Sequence, residues 1–387
     1  MQHKISINGI GSISALGTSS RTVWDTYKKG QPLFHKKALQ DDIRPVWVSE
    51  ITSEATSELL KLQQKNTSYS KLDRSVLLAM LATNNAIGSY DFQNKNVAIN
   101  IGSSRGATGL FEKYHTDYLT NKQVSAYTSP TTTLGNISSW VAQELGVESL
   151  HIDHSVTCST AMHALLNGIA WLQSEMADVF IAGGSESALT PFTLAQMQAL
   201  KLYSNLAHDF ACESMRFQKK KNTMVLGEAA GVAVLERGVS DASMAVIEGF
   251  GFASETLEHG SSISKNADCF QRSMKRALDK AELETVDVVI LHAPGTVKGD
   301  MAEKNAIENV FEARLPLLTS NKWMLGHTFA ASGMMSIEMG IHMLQHNSFI
   351  ENPFYANARH LPKELKTIMI NAVGFGGNAV SIILSKP

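Results

Sequence analysis

Ser155–Leu172 reads SVTCSTAMHALLNGIAWL: a short β-branched lead-in, a thiol, then an apolar run with helical spacing. A helix is predicted over Cys158–Gln173, with the cysteine at its start. A helix N-terminus offers free backbone N–H groups and the positive end of the macrodipole, both of which favour a thiolate. Thr157, Ser159, Thr160 and Ala161 are small and leave space at the sulfur. This is the setting of a nucleophile. A free cysteine is more often a small buried hydrophobe, and Cys212 in HDFACESM and Cys269 in NADCFQRS are read that way.

On both sides of this stretch, short β-branched runs alternate with longer helix-period runs, which indicates an α/β fold. Strands are predicted at Lys4–Ser14, Asn96–Ile101, Leu150–Ser155, Val179–Ala182 and Gly231–Glu236, then at Ala245–Phe252, Val286–His292, Leu317–Ser320, Thr367–Ala372 and Ala379–Ser385. Most are apolar without strict alternation, as strands buried on both faces are. Helices are predicted at Ser70–Ser89, Asn266–Ala281, Asp300–Ala313 and Gly333–His346 besides the one at Cys158. CSTAMHALLNGIAWLQ followed by LGEAAGVAVLER is echoed by GHTFAASGMMSIEMGIHMLQ followed by VGFGGNAVSIILSK. The order repeats, so the chain reads as a duplication. The polar, turn-rich ERGVSDAS around Arg237–Asp241 marks the junction, giving halves 1–238 and 239–387.

The second half supplies two histidines in glycine-rich settings. His292 ends the run VDVVILH and leads into Ala-Pro-Gly-Thr, the place where an α/β sheet presents residues to a crevice. His327 closes KWMLGH ahead of a helix rich in small residues. His151, His154 and His163 are near Cys158 in sequence and are weaker rivals. Lys322 lies five positions before His327 in a stretch that reads as buried, where a lysine is expensive unless paired. Glu303, near the start of the helix after His292, is the expected partner, and Asp300 the expected cap of that helix. Gly374–Gly377 (GFGG) precedes the last strand, and a backbone N–H at Phe375 beside that of Cys158 would make an oxyanion hole. A thiol with two imidazoles suits acyl transfer to sulfur followed by stabilisation of a thioester enolate.

Charged residues make up 18% of the chain, below the roughly 25% usual for soluble domains, so much surface is expected to be buried, some of it between subunits. A net charge of −2 gives no global field for nucleic acid. The basic run Lys219-Lys220-Lys221 is read as a solvated loop. Three cysteines suit a reducing compartment rather than a disulfide framework. No CxxC or HExxH spacing suggests a metal site, no GxGxxG or GxxxxGK[ST] a nucleotide site, and no cofactor is implied. With neither a signal-peptide pattern nor an apolar run of membrane length, a cytoplasmic protein is expected.

TCSTA around Cys158, LGEAAGVAVLE (Leu226–Glu236), HAPGTVKGDMAE (His292–Glu303), KWMLGH (Lys322–His327) and GFGG occur in an order that resembles the β-ketoacyl-acyl carrier protein synthases, the condensing enzymes of fatty acid and polyketide synthesis. The likeness runs from NGIGSISALG to GFGGNAVSIIL. It implies a thiolase-like α/β fold, two pseudo-duplicated halves in a five-layer αβαβα arrangement. The N-terminal half would hold the nucleophile and the dimer interface, the C-terminal half both catalytic histidines. It also implies Cys158, His292 and His327 as catalytic residues supported by Lys322 and Glu303, an oxyanion hole at Cys158 and Phe375, and substrate contacts at Thr296, Gly374, Phe375 and Gly376. The implied partner is an acyl carrier protein with its acyl- and malonyl-phosphopantetheine arms, and the implied assembly a homodimer or a heterodimer with a related ketosynthase-like subunit. The family commonly has His-Gly-Thr-x-Thr where this chain has HAPGT, so Pro294 replaces a hydroxyl toward the pantetheine arm. That variant is similar to synthases of specialised pathways such as aryl polyene or flexirubin pigments. The alternatives are a non-catalytic chain-length-factor-like subunit, a thiolase or acyl-CoA-using relative, and a cysteine hydrolase.

Overall fold

A computed structural model describes residues 3–38, 45–256, 263–358 and 360–387. The ten predicted strands all form, and together they make one hydrogen-bonded series. In chain order they are β1 (Ile5–Ile13), β2 (Val97–Gly102), β3 (Ser149–Ile152), β4 (Val179–Glu186), β5 (Ala229–Arg237), β6 (Ala245–Ser254), β7 (Val288–Ile290), β8 (Leu317–Thr319), β9 (Thr367–Gly374) and β10 (Asn378–Ser385). Their spatial order is β8-β7-β9-β10-β6-β1-β5-β4-β2-β3. Read outward from the middle, β1-β5-β4-β2-β3 and β6-β10-β9-β7-β8 are the same arrangement. The two sets meet through a short antiparallel pairing of their first strands, Ile5 with Ile247 and Ile7 with Ala245.

The helices repeat with the strands. The first half contributes α1 (Arg74–Ile87), α2 (Ile137–Leu145) and α3 (Thr160–Gln173); the second contributes α4 (Asp268–Ala281), α5 (Val297–Phe311) and α6 (Ser332–His346). Each half therefore reads β-α-β-α-β-α-β-β, which makes the duplication a structural fact. α1 and α2 cover the outer face of the first sheet, and α4 and α5 that of the second. α3 and α6 pack on each other and on strands of both halves, forming the middle of five layers. Their sequences fit that place. Every residue of α6 from Ser332 to Leu344 is buried, and all but Glu338 and His342 are apolar or small, as a helix buried all round calls for.

Three differences from the expected pattern have local causes. β3 ends at Ile152, lies at the edge of its sheet and leaves Leu150 exposed, so it is not buried on both faces. A small sheet of His35–Lys37, Val46–Ser49 and Leu226–Gly227 is not foreseen, because pieces of two to four residues show no period. Helices at Ser20–Lys29, Ser53–Lys65, Thr108–Asn121, Ile137–Leu145 and Pro191–Ala199 also lie outside the predicted set; the first two bury narrow stripes, and Thr108–Asn121 buries only Thr108 while exposing Phe111, Tyr118 and Leu119.

Candidate active site

Cys158 stands not in the first turn of α3 but in the 3-10 turn Thr157–Ser159 ahead of it. Thr157 takes φ +48°, a left-handed value that a β-branched residue adopts only when its surroundings hold it. Those surroundings are explicit. Thr160 Oγ1 donates to Thr157 O at 2.6 Å, Ser104 Oγ donates to the same carbonyl at 2.8 Å, and Val156 N donates to Thr160 Oγ1 at 3.0 Å. The second half repeats the device: α6 follows the 3-10 turn Phe329–Ala331, and Phe329 has φ +44°. Each turn abuts the end of a strand from the other half. A Cβ added at Gly374, the last residue of β9, would lie 2.1 Å from Thr157 Oγ1 and 2.5 Å from Val156 O. One at Gly184 of β4 would lie 2.5 Å from Ala330 O. The pseudo-twofold relation thus brings the two helix starts together.

The same relation brings His327 to the thiol. Its Nε2 is 3.1 Å from Cys158 Sγ, and its Nδ1 is 3.1 Å from Ser332 Oγ on α6. A hydroxyl both donates and accepts, so Ser332 can match either tautomer of the ring. The His327 backbone is pinned as well, donating to Val225 O at 2.7 Å and accepting from Gly227 N at 3.1 Å. Gly227 is needed there for a separate reason: a Cβ on it would lie 2.4 Å from Leu325 O. His292 lies two residues beyond β7, which stops at Ile290 rather than reaching the histidine. Its ring stands edge-on to that of His327, with centroids 5.2 Å apart and planes at 88°. The three groups expected from the sequence converge.

The supporting charges are arranged differently from expectation. Lys322 and Glu303 are both fully buried but form no direct ion pair. Glu303 instead accepts from the backbone N–H groups of His292 and Ala293, each at 2.9 Å, and from Asn371 Nδ2 at 3.3 Å. It holds the turn that carries His292. Lys322 Nζ donates to Asn321 Oδ1 at 3.0 Å. Asp300 does not cap α5: Thr296 does, accepting from Gly299 N at 3.2 Å. Asp300 accepts from Gly295 N and Thr296 N and pairs at 2.6 Å with Lys219, which is buried rather than part of a solvated loop. Of the rival histidines, His154 is bound to Asn100 and Thr160 O, His163 faces Ser159 O, and His151 is exposed on β3.

Burial decides the protonation states. It pushes the Cys158 thiol up to about 12, reinforced by the Glu186 carboxyl and opposed by Lys322, its own backbone N–H and Arg105. The donors at the helix start still favour the thiolate, as expected, but desolvation outweighs them. Burial and the Lys322 ammonium draw His327 down to about 3; burial, His327 and Lys322 draw His292 well below its ordinary value. The resting site is a neutral thiol beside two neutral imidazoles. Nucleophilic attack then needs transfer of the sulfur proton to His327 across the existing contact.

Cys158, His292 and His327 line one cavity of about 970 Å³, with Phe329, Pro294, Thr296, Gly374 and Phe375 also in its wall. Gly376 lies in the same turn with φ +98°, but Gly377 rather than Gly376 borders the cavity. Thr157 Oγ1 donates to Phe375 O at 3.4 Å, which places that peptide against the nucleophile turn. Lys201, Lys220, Lys221 and Lys298 are exposed along the same cavity.

The family described as beta-ketoacyl synthase, N-terminal domain, matches residues 2–240, and its C-terminal domain matches residues 244–353. The chain belongs to the beta-ketoacyl synthase family. Among curated relatives of this family member, the 3-oxoacyl-[acyl-carrier-protein] synthase 2 of Coxiella burnetii is 24% identical over 100% of this chain and 99% of its own. That of Staphylococcus aureus (strain COL) is 26% identical over 99% and 98%. A solved structure of a type II PKS acyl-carrier protein in complex with its ketosynthase aligns with TM-score 0.86, 17% identity and full coverage of both chains. The ketosynthase–chain length factor complex of Xenorhabdus doucetiae aligns with TM-score 0.82 and 20% identity over 100% and 98%. These structures share the thiolase-like, two-half fold. The protein is a condensing enzyme of the acyltransferase type. Among its described residues no helix is long and apolar enough to cross a membrane.

Three residues of this β-ketoacyl synthase site are absent from the sequence reading. Ser332 backs His327; its only signal is a hydroxyl five positions on in a run of small residues. Glu186, fully buried at the end of β4, accepts from Ser103 Oγ, Ser104 N and Ala330 N and so ties both helix-start turns. An acid closing an apolar strand could have flagged it. Asn371 offers the same kind of signal on β9.

Proposed function

We propose that Cys158, His292 and His327 carry out decarboxylative Claisen condensation of an acyl thioester with malonyl-acyl carrier protein. The observation that carries this reading is the 3.1 Å contact between His327 Nε2 and Cys158 Sγ with the His292 ring beside it. In the first half-reaction the thiol proton passes to His327, sulfur attacks the acyl carbonyl, and the proton leaves with the carrier's thiol. The backbone N–H groups of Cys158 and Phe375 would hold the oxyanion, at about 3 kcal/mol for each such donor. In the second, the malonyl thioester oxygen sits between two neutral imidazoles acting as donors. Carbon dioxide departs and leaves its electron pair in the enolate, whose carbon attacks the acyl-cysteine. The sulfur is released as a thiolate and regains a proton taken up from solvent. Loss of carbon dioxide generates the carbanion without a strong base. Glu303 positions His292, and the Lys322 charge keeps both imidazoles neutral and favours the developing thiolate.

Several features support the partners assigned here. Lys201, Lys220, Lys221 and Lys298 suit the acidic surface and phosphate of a carrier protein. Thr296 is the hydroxyl left to the pantetheine arm beside Pro294, and Gly374 to Gly376 let the arm's backbone neighbours approach. β3, a free sheet edge with Leu150 exposed, suits pairing with a second like subunit, identical or related. The halves divide at 238/239 in the polar, turn-rich ERGVSDAS, the location is the cytoplasm, and HAPGT favours a specialised pigment-type pathway.

The experiment is to combine the protein with an acyl-carrier and malonyl-carrier and weigh the carrier-bound species. A β-ketoacyl product two carbons longer is expected. Free acid would identify a hydrolase, and product from CoA thioesters alone an acyl-CoA-using relative. Turnover that requires a second subunit and is unaffected by Cys158→Ala would identify a non-catalytic partner.

A further inference from the structure

Lys322 is 1% exposed, yet among the described residues no carboxylate lies within ion-pair distance of its ammonium. Its hydrogen bond goes to the neutral amide of Asn321, Nζ to Oδ1 at 3.0 Å. Asn321 is itself fully buried, and its Nδ2 donates to the Tyr27 hydroxyl at 3.4 Å. The ammonium carries donors only, so the amide turns its oxygen to the lysine and leaves its NH₂ for the phenol oxygen of Tyr27. Tyr27 comes from the helix Ser20–Lys29, far away in sequence, and is 2% exposed. The line Tyr27–Asn321–Lys322 thus runs through the protein interior to the wall behind the thiol, and no step of the chemistry above uses its first two members.

We propose that Asn321, braced by Tyr27, is a positioning residue that holds the Lys322 ammonium in its charged form near the Cys158–His327 contact. This rests on the reading that Lys322 serves that site. The groups that face Lys322 are Glu303, Cys212 and Cys158, each of which favours its charge, and His292 and His327, which feel it. Tyr27 in turn faces Glu338, whose carboxyl and the burial of the site keep the phenol protonated. Burial draws the ammonium down to about 8. A buried ammonium this close to neutral pH depends on every acceptor it has, and Asn321 Oδ1 is the one in direct contact. Removing that acceptor makes the charged form less stable; replacing it by a carboxylate makes it more so.

The two changes must therefore move one pH profile in opposite directions, which a merely structural role would not do. The test follows iodoacetamide alkylation of Cys158 against pH, located by peptide mass, in the wild type, Asn321→Leu, Asn321→Asp and Tyr27→Phe. In the wild type the logarithm of the rate rises with pH and levels where Lys322 loses its charge, since the thiolate then loses its nearby cation. Asn321→Asp is expected to move that levelling up by about 1–3 pH units, and Asn321→Leu to move it down by about one unit. Tyr27→Phe, which keeps the ring and the packing, is expected to move it down by less and serves if either Asn321 variant does not fold. Coincident profiles, or shifts of both Asn321 variants in the same direction, would overturn the proposal. Alkylation does not require condensation. Failure of the functional reading would show instead as wild type making no β-ketoacyl product while the profiles still separate.

Discussion

With Cys158 replaced by alanine, incubation with an acyl-carrier is expected to leave the mass of the protein unchanged, where the wild type gains one acyl group. Condensation falls by at least about 10⁴-fold, because no other group can carry the acyl chain. Cys212 and Cys269 are buried, their thiols pushed up to about 12, and neither borders the cavity. Malonyl-carrier decarboxylation should survive the same change, since the imidazoles that face the enolate remain. Intact-protein mass and carbon dioxide release measure the two halves separately. An acyl adduct that persists in Cys158→Ala would refute the assignment of the nucleophile.

Replacing each histidine separates the two half-reactions further. His327 Nε2 lies 3.1 Å from the sulfur, whereas the His292 ring stands edge-on to His327 with centroids 5.2 Å apart. His327→Ala is therefore expected to slow both acyl transfer to Cys158 and malonyl decarboxylation, each by about 10²–10³-fold. His292→Ala should cost about the same in decarboxylation and condensation while acyl transfer stays within a few-fold of wild type. Single-turnover adduct formation and product formation report the two steps independently. Equal losses in acyl transfer for both variants would contradict the division of labour. Both rings are held neutral by burial, so neither loss should be recovered by changing the pH between about 6 and 8.

The thiol and the two imidazoles that meet in the cavity were legible in the chain, and the groups that arrange them were not. Cys158, His292 and His327 announce themselves through setting: small neighbours, a strand end before a Pro-Gly turn, a glycine before a small-residue helix. The ten strands were legible because each carries its own apolar run. What escaped depends on contacts between residues distant in sequence. Ser332 matters only once α6 starts beside His327. Glu186 matters only because strand ends of one half meet helix starts of the other. Charge pairing was misread for the same reason. Lys322 and Glu303 looked like partners on spacing, yet the carboxylate is taken by the turn at His292 and the ammonium by Asn321. The chemical environment of the thiol was misjudged too: a helix start argues for a thiolate, but sequence does not show how completely the fold excludes water from it.

The account's central claim is that one cavity loads an acyl group on Cys158 and then spends it on a malonyl-derived enolate. The most direct measurement loads the protein with a labelled acyl group, removes the donor carrier, adds malonyl-carrier, and follows both masses in time. The acyl adduct on Cys158 should disappear at the rate at which a labelled β-ketoacyl group, two carbons longer, forms on the added carrier. An adduct that stays in place, or one that is lost as free acid while the carrier remains unextended, would contradict it.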